Sequence, residues 1–246
     1  MSLADGGVPY LDILHEDSDL LVVDKPADLV CHPTKGDVFS SLVSRVRLHL
    51  GPGAESHLIN RLDRESTGVV LVAKRLEVAR AWREIWERRE VTKRYEAIVE
   101  GHLSLESGSI EAPLGKDVGS QVAIKDCVRP DGAPSVTHYR VLTRFERRGE
   151  LFTHLEVMPH SGRKHQIRIH LSHLGHPIVG DKIYGPDEQI YLRFVVGQLS
   201  DAQRDQLRLP NHALHASTVE AGCLGRNWRF HCDPPAGFLQ FLGPCT

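Results

Sequence analysis

Residues 68–73, written GVVLVA, carry apolar side chains at successive positions rather than at alternate ones. Successive side chains of a β-strand point to opposite faces, so this run predicts a strand that is buried on both sides. Further strands are predicted at residues 19–24, 92–99, 135–145, 151–158, 214–219 and 228–232, and helices at residues 39–50, 75–89 and 161–175. Because the strands outnumber the helices and do not alternate with them regularly, we expect an α+β fold with a large, mixed, mostly antiparallel sheet and flanking helices.

The charge of the chain is nearly balanced but unevenly distributed. The 246 residues carry a net charge of −2, and the sequence pI is about 6.7. Residues 61–94 nevertheless contain ten Lys or Arg against six Asp or Glu, and residues 160–185 contain four against one. A nearly neutral protein with local basic segments can hold a polyanion on one face, so these segments are candidates for nucleic-acid contact.

Cysteine usage and hydropathy indicate the compartment. The five cysteines are scattered, and no two have C-x-x-C spacing, which is typical of a reducing compartment and disfavours thiolate zinc. The opening residues lack the pattern of a signal peptide, and no apolar run approaches the roughly 20 residues that span a bilayer. We therefore expect a cytoplasmic, monomeric protein with no membrane partner.

Residues 60–68, NRLDRESTG, place one carboxylate, Asp63, between Arg61 and Arg64 directly before the buried strand. One interpretation is a salt bridge in a loop. The other is a catalytic carboxylate, which a facing cation keeps ionised because an opposite charge within about 4–6 Å lowers a carboxyl pKa. This stretch alone leaves both interpretations open.

The four histidines within residues 165–176 invite a metal-site interpretation. None of them has the i, i+4 spacing of a helical H-E-x-x-H site, and the segment contains no carboxylate. We therefore expect surface or core histidines and no metal.

The same segment predicts an amphipathic helix with basic residues at its start. Ile167, Leu171 and Leu174 form the apolar stripe, with Ser161 as the predicted N-cap and Gly175 as the C-terminal glycine. Basic side chains and backbone N–H groups at a helix N-terminus suit a phosphate or a carboxylate. The alternative is a solvated basic helix.

Taken together, these segments resemble the RluA-like family of RNA pseudouridine synthases. The similarity covers most of the chain in one order and is carried by DLLVVDKPADLVCHP, RLDRESTGVVLVAK, KRYEAIVEG, GRKHQIRIHLSHLGHPIVGDKIYG, LHASTVEA and WRFHCDPPAGF. The resemblance implies that Asp63 is the catalytic aspartate and that Arg61 helps to extrude the target nucleotide. It also implies that Tyr95 lies against the uracil and that Arg168 pairs with the aspartate.

The resemblance also implies a fold, a substrate and the absence of a cofactor. The expected fold is the pseudouridine synthase catalytic fold with a central RNA-binding cleft, formed by residues 1–246 as a single domain without a separate S4-like RNA-binding domain. The expected partner is structured ribosomal or transfer RNA, and the redox-neutral isomerisation needs no cofactor. Side chains expected to contact RNA are Arg64, Lys93, Arg94, Arg163, Lys164 and His165.

Three departures from the family pattern bear on RNA contacts. The family usually has histidine at the position of Asn60, a Thr-Ser order where this chain has Ser66-Thr67, and threonine at the position of Lys164. None of these changes affects Asp63, Tyr95 or Arg168, so the expected chemistry stands while contacts to flanking nucleotides differ.

Two rival functions fit part of the pattern. A glycoside hydrolase also acts at an anomeric carbon, but it needs a second carboxylate about 5–9.5 Å from the first. Glu65 is the nearest candidate in sequence, and nothing in an irregular loop directs it to the same site. A non-catalytic RNA-binding module would use the basic segments without chemistry.

Overall fold

The computed structural model describes residues 11–33 and 41–243. The chain divides into two compact units, one formed by Met1–Val91 with Glu220–Cys232 and the other by Thr92–Val219 with Asp233–Thr246. We call them unit 1 and unit 2 and describe each by itself. The single catalytic domain and the central cleft expected from the sequence stay predictions.

The described residues form strands and helices in the following order, which confirms the predicted α+β class. The elements are β1 (Asp12–Glu16), β2 (Leu20–Lys25), α1 (Leu42–Leu50), β3 (His57–Leu58), β4 (Thr67–Ala73), α2 (Leu76–Glu87), β5 (Thr92–Glu100), β6 (Ser107–Glu111), β7 (Leu114–Lys116), β8 (Asp126–Val128), β9 (Val136–Arg147), β10 (Glu150–Pro159), α3 (Gln166–His173), α4 (Gln189–Val195), α5 (Asp201–Leu207), β11 (Leu214–Cys223), β12 (Arg226–His231) and α6 (Ala236–Leu242).

The sheet of unit 1 is centred on the apolar run of residues 68–73. Strand β4 pairs antiparallel with β2 and β3, and β2 pairs antiparallel with β1. All seven residues of β4 are buried, as its apolar residues on both faces predict. On one face, Val70 and Val72 pack with Leu42 and Val46 of α1 in a single apolar cluster. This cluster holds the end of β4 from which the Asp63 loop extends.

Helix α2 covers a further part of unit 1 by an amphipathic face. Val78, Trp82 and Ile85 recur at helical spacing and are buried. The helix ends at Glu87, close to the boundary predicted from sequence. The predicted start of α1 at Phe39 lies outside the described residues, whereas its end is confirmed, because Gly51 caps it with a φ of 89°.

Unit 2 is built on strands in the order β11, β5, β10, β9 and β6, with residues 214–219 of β11 belonging to this unit. From β5 to β6 the neighbouring strands pair antiparallel. In the register of β5 and β10, Ala97 faces Leu155 and Tyr95 faces Val157. Ala97, Leu155 and Val157 are buried in the main apolar cluster, against which Tyr95 packs as a half-buried residue. The core of unit 2 therefore fixes the strand that carries Tyr95.

The predicted start of the basic helix was wrong. Helix α3 begins at Gln166, and the residue before it, His165, has a left-handed backbone with φ 54° and ψ 17°. Ser161 does not cap the helix. Its hydroxyl donates to Gln166 Oε1 at 2.7 Å, and the Arg163 N–H donates to the same oxygen at 3.1 Å. Residues 161–165 therefore form a loop before the helix, in which the Gln166 side chain satisfies the Ser161 hydroxyl and the Arg163 N–H.

The predicted end of the helix is confirmed. Gly175 has a φ of 88°, its N–H donates to Ser172 O, and the His176 N–H donates to Leu171 O. These two bonds form a Schellman motif, for which glycine is the favoured residue.

Several elements were not predicted from the sequence, among them β1, β3, α4, α5 and α6. Strand β1 (DILHE) is an edge strand with exposed and half-buried residues, so it lacks an apolar pattern. Helix α5 is largely polar and is specified by a capping box of Ser200 and Gln203 rather than by an apolar stripe. Within residues 11–33 and 41–243, no helix is long and apolar enough to cross a membrane.

Candidate functional site

The Asp63 loop of unit 1 runs from the end of β3 to the start of β4. Asp63 is half-buried, whereas Arg61 and Arg64 on either side are exposed. Asn60 anchors the start of the loop to β4, since its Nδ2 donates to Val69 O at 3.0 Å. Its Oδ1 accepts from the N–H of a second β4 residue, Leu71, at 2.8 Å. The asparagine at this position is therefore explained by its side-chain amide, which both donates to and accepts from the backbone of β4.

The residues on both sides of Asp63 are held by two side chains, one from the last residue of β2 and one from the segment that follows β2. The Leu62 N–H donates to Cys31 Sγ at 3.4 Å, and the Cys31 thiol lies 3.4 Å from Leu62 O. The Arg64 carbonyl accepts from Lys25 Nζ at 3.1 Å. With the backbone fixed at Leu62 and Arg64, little freedom remains at Asp63 between them.

Lys25 is the unusual member of this arrangement, because it is a lysine with no exposed surface. Its ammonium donates three hydrogen bonds, to the carbonyls of Pro26 at 2.8 Å, Leu29 at 2.9 Å and Arg64 at 3.1 Å. Burial lowers the pKa of Lys25 to about 8, although the charge of Asp63 is among those that oppose the shift. Lys25 therefore places a positive charge within electrostatic reach of the predicted catalytic carboxylate.

Arg61 also has an electrostatic neighbour in unit 1. The pKa of His32 is lowered, first by partial burial and then by the charges of Arg61 and Arg47. Arg61 thus adds to the positive potential on this side of the loop, which suits an approaching polyanion.

In unit 2, β5 carries three predicted RNA contacts at consecutive positions. Successive strand residues alternate between faces, so Lys93 and Tyr95 share one face and Arg94 lies on the other. The Lys93 ammonium lies 3.5 Å from Ser161 O, and Arg94 Nη1 lies 3.7 Å from Glu156 Oε1. The structure therefore brings Lys93 and Tyr95 together and separates Arg94 from them by the sheet.

Arg168 of α3 is buried and has a carboxylate partner that the sequence analysis did not identify. Its Nε and Nη2 donate to Asp181 Oδ2 at 2.6 Å and Oδ1 at 2.8 Å, a bidentate geometry. Asp181 is buried too, and burial alone would raise its pKa. The guanidinium outweighs that effect and holds the pKa of Asp181 well below its usual range. The pairing of Arg168 with Asp63 stays a prediction.

The loop before α3 presents the other predicted basic contacts. Arg163 and Lys164 are exposed, and Lys164 Nζ forms an ion pair with Asp126 Oδ2 at 2.8 Å. His165 Nδ1 lies 2.8 Å from the Tyr184 hydroxyl. The loop thus brings Arg163, Lys164 and His165 together on unit 2.

Two histidines of this segment have structural roles. His170 is buried between Thr137 Oγ1 at 2.8 Å and Ala112 O at 3.0 Å, and burial lowers its pKa. His176 Nδ1 lies 2.8 Å from Glu100 O. Bonds to backbone carbonyls agree with the core interpretation of these two rings.

Sequence reasoning missed the side chains that hold the predicted site residues. Lys25 and Cys31 hold the Asp63 loop, and Asp181 holds Arg168. One signal was available for Lys25, because it ends an apolar strand that is otherwise buried. The other two contacts join residues 31 and 13 positions apart, and no local pattern indicates them.

Comparison with known proteins matches these features to one family. The sequence profile described as RNA pseudouridylate synthase matches residues 19–173. The ribosomal large subunit pseudouridine synthase D of Escherichia coli O6:H1 is 36% identical over 178 residues, which cover 71% of this chain and 52% of that protein. The Haemophilus ducreyi protein of the same name is 34% identical over 238 residues, covering 94% and 70%. The chain therefore spans about half the length of the first relative and more than two thirds of the second.

Solved structures give the same result for the fold. Human RNA pseudouridylate synthase domain containing 1 superposes with a TM-score of 0.74 at 26% identity, covering 94% of this chain and 86% of that one. Human RNA pseudouridylate synthase domain containing 4 superposes with a TM-score of 0.71 at 27% identity, covering 94% and 91%. With an ordered set of motifs, a matching profile over most of the chain and the same fold, this protein belongs to the RNA pseudouridylate synthase family.

Proposed function

We propose that this protein isomerises uridine to pseudouridine in large-subunit ribosomal RNA, with Asp63 as the catalytic residue. The observation that carries the proposal is the fixed Asp63 loop, in which the flanking residues Leu62 and Arg64 are held by Cys31 and Lys25. A structural salt bridge does not need such restraint, whereas a reacting group must be held close to its productive geometry. The choice of RNA rests on the two bacterial relatives, both of which are named ribosomal large subunit pseudouridine synthase D.

The reaction breaks the bond from uracil N1 to the sugar C1′, turns the base and forms a bond from C5 to C1′. The hydrogen displaced from C5 leaves as a proton and N1 gains one, so product and substrate have the same mass. The Asp63 carboxylate supplies the negative charge that the step requires, by attack at the sugar, by attack at the ring or by removal of a sugar proton. No redox partner or cofactor enters this balance.

The remaining site residues act on the extruded nucleotide. A base inside a helix must flip out to be reached, at a cost of a few kcal/mol. In this proposal Arg61 fills the vacated space, Tyr95 stacks on the uracil and accepts the C5 proton, and Arg168 keeps Asp63 ionised. The exposed Arg64 and Arg163 contact backbone phosphates.

The other predicted RNA contacts differ in what they add to binding in this proposal. Lys93 shares the face of Tyr95 and joins the phosphate contacts, whereas Arg94 lies on the other face of its strand and contributes less. The ion pair of Lys164 with Asp126 reduces the positive charge that Lys164 offers to RNA. His165 contributes a ring nitrogen that can hydrogen-bond the RNA. The protein acts in the cytoplasm as a monomer.

The test is conversion of a large-subunit ribosomal RNA transcript by the purified protein. We expect pseudouridine at a discrete position, detected by chemical mapping, with no change of mass and no released uracil. Transfer RNA transcripts, processed in parallel, should remain unmodified. Release of free uracil would instead favour a hydrolase, and RNA binding without pseudouridine would favour a non-catalytic module. Either outcome would refute the proposed activity.

A further inference from the structure

Residues 181–184, written DKIY, form a tight turn after Gly180 in unit 2, which we call the DKIY turn. The Asp181 carboxylate accepts two bonds from Arg168, at 2.6 and 2.8 Å, and its Oδ1 also accepts from the N–H groups of Ile183 at 2.9 Å and Tyr184 at 3.0 Å. Its side chain has no exposed surface. A carboxylate that accepts four bonds has one orientation, so it fixes the plane of the guanidinium that it binds.

The glycines on both sides show how closely the turn is specified. A Cβ at Gly180 would lie 2.5 Å from Asn211 O, and a Cβ at Gly185 would lie 2.3 Å from Asp181 O. Gly180 also has a φ of 82°, which disfavours other residues. A residue with a side chain therefore does not fit at either end of the turn without a shift of the backbone.

Tyr184 joins the turn to two other features of unit 2. Its ring lies under the Arg168 guanidinium, with 5.1 Å from Cζ to the ring centroid. Its hydroxyl accepts from the Asp126 N–H at 3.2 Å and lies 2.8 Å from His165 Nδ1. Burial raises the pKa of Tyr184, so the phenol keeps its proton. Asp126 is also the ion-pair partner of Lys164. The Tyr184 hydroxyl therefore contacts His165 of the loop before α3 directly, and it contacts the backbone of the residue that pairs with Lys164.

We propose that the DKIY turn is a positioning element with two separate tasks: Asp181 orients Arg168 for the chemical step, and the Tyr184 hydroxyl orients the loop of residues 163–165 for RNA binding. The proposal rests on the proposed function, in which Arg168 and this loop serve catalysis and binding. The two tasks use different atoms. The carboxylate contacts the guanidinium and the N–H groups of the turn, whereas the hydroxyl, among the described residues, lies within hydrogen-bond distance of His165 Nδ1 and the Asp126 N–H.

Because the atoms differ, two isosteric variants separate the tasks. Asp181→Asn removes the charge that holds Arg168, and Tyr184→Phe removes only the hydroxyl while keeping the ring under Arg168. For each variant, the Kd for the large-subunit transcript and the single-turnover rate at saturating enzyme are measured. Asp181→Asn should lower the rate by about 10- to 100-fold, the size expected from misplacing a reacting group. Its Kd should change by less than about threefold, an affinity change that corresponds to less than one lost hydrogen bond. Tyr184→Phe should weaken Kd by about three- to tenfold with a near wild-type rate.

Several outcomes would overturn the proposal. If the turn has only a structural role, both substitutions will lower the melting temperature, and the rate and Kd of the folded variants will equal those of the wild type. Equal losses of rate and affinity in both variants would show that the tasks are not separate. If Asp181→Asn does not fold, Asp181→Glu replaces it, because it keeps the anion but moves it by one methylene. A wild-type rate from Asp181→Glu would then refute the role of Asp181.

Failure of the proposed function gives a different result. If the wild-type protein binds the transcript without converting it, the enzymatic activity is refuted, and the Kd of Tyr184→Phe alone decides whether the turn positions the loop. If the wild-type protein converts the transcript and both variants match it in rate and Kd, the activity stands and the role of the turn is refuted.

Discussion

Lys25 gives the sharpest quantitative prediction, because its burial makes the stability of unit 1 depend on pH in an unusual direction. Burial lowers the pKa of Lys25 from the ordinary value of 10.5 to about 8. Below pH 8 the ammonium is charged in both the folded and the unfolded state, so the free-energy cost of burying it is fully present. Between pH 8 and 10.5 the folded state releases the proton while the unfolded state keeps it. The free energy of unfolding contributed by Lys25 therefore rises with pH, by about 2.5 kcal/mol from pH 7 to pH 10.

The assay compares the wild-type protein with Lys25→Met, which keeps the length of the side chain without the titratable group. All three tryptophans, Trp82, Trp86 and Trp228, lie in unit 1, so tryptophan fluorescence during urea unfolding reports on this unit. Subtracting the variant removes the titration of other groups. We expect the difference in unfolding free energy, wild type minus variant, to increase by about 2.5 kcal/mol from pH 7 to pH 10. A difference that stays constant over this range would refute the account of Lys25.

The same deprotonation should act on activity in the opposite direction. When Lys25 loses its proton, one of the three carbonyls it contacts loses a hydrogen bond and the positive charge near Asp63 disappears. We therefore expect the single-turnover rate of the wild-type protein to fall as pH rises through about 8 while stability increases. A rate that follows stability upward would show that Lys25 does not support the Asp63 loop.

Three further predictions concern stability and binding. Asn60→Ala should lower the unfolding free energy of unit 1 by about 2 kcal/mol, because two hydrogen bonds to β4 are lost, and an unchanged urea midpoint would contradict this. Gly180→Ala should destabilise unit 2 by more than Gly197→Ala does, because the two glycines have a similar φ but a Cβ at position 197 would have nothing within 4 Å. The expected difference in unfolding free energy, measured by thermal melts, is about 1–3 kcal/mol. Arg163→Gln should reduce the slope of log Kd against log salt by about 1, and Lys164→Gln by less, since Lys164 already pairs with an acid. Equal effects of the two would refute that distinction.

The sequence predicts the parts of the fold that have a local apolar pattern. The run in β4 and the stripe of α2 indicate buried elements, and both are confirmed. Helix α5 and strand β1 were missed because a capping box and an edge position specify them without such a pattern. The start of α3 was wrong because the Gln166 side chain satisfies the groups of the preceding loop.

The candidate site shows the same division. The position of Asp63 between two arginines can be recognised from sequence, whereas its support by Lys25 and Cys31 depends on contacts between distant segments. The carboxylate that holds Arg168 was missed for the same reason, although Asp181 lies in one of the segments that resemble the family. The local sequence indicates the predicted catalytic residue, and the tertiary structure shows which side chains hold it.

The matched control for Asp63 is Asp28, a second carboxylate near Lys25. Both charges oppose the lowering of the Lys25 pKa, so replacing either one with asparagine removes similar electrostatics. Asp28 is exposed with a φ of 62°, a backbone conformation that asparagine tolerates well. Because Arg168 keeps Asp181 as a buried partner, Asp63→Asn does not leave that guanidinium without a carboxylate.

The most direct test of the central claim is therefore pseudouridine formation by Asp63→Asn and Asp28→Asn in single turnover with excess enzyme, beside a thermal melt of each variant. We expect both variants to be folded, Asp28→Asn to convert the transcript at a near wild-type rate, and Asp63→Asn to form no detectable pseudouridine while it still binds the RNA. A folded Asp63→Asn variant with a near wild-type rate would contradict the assignment of Asp63 as the catalytic residue.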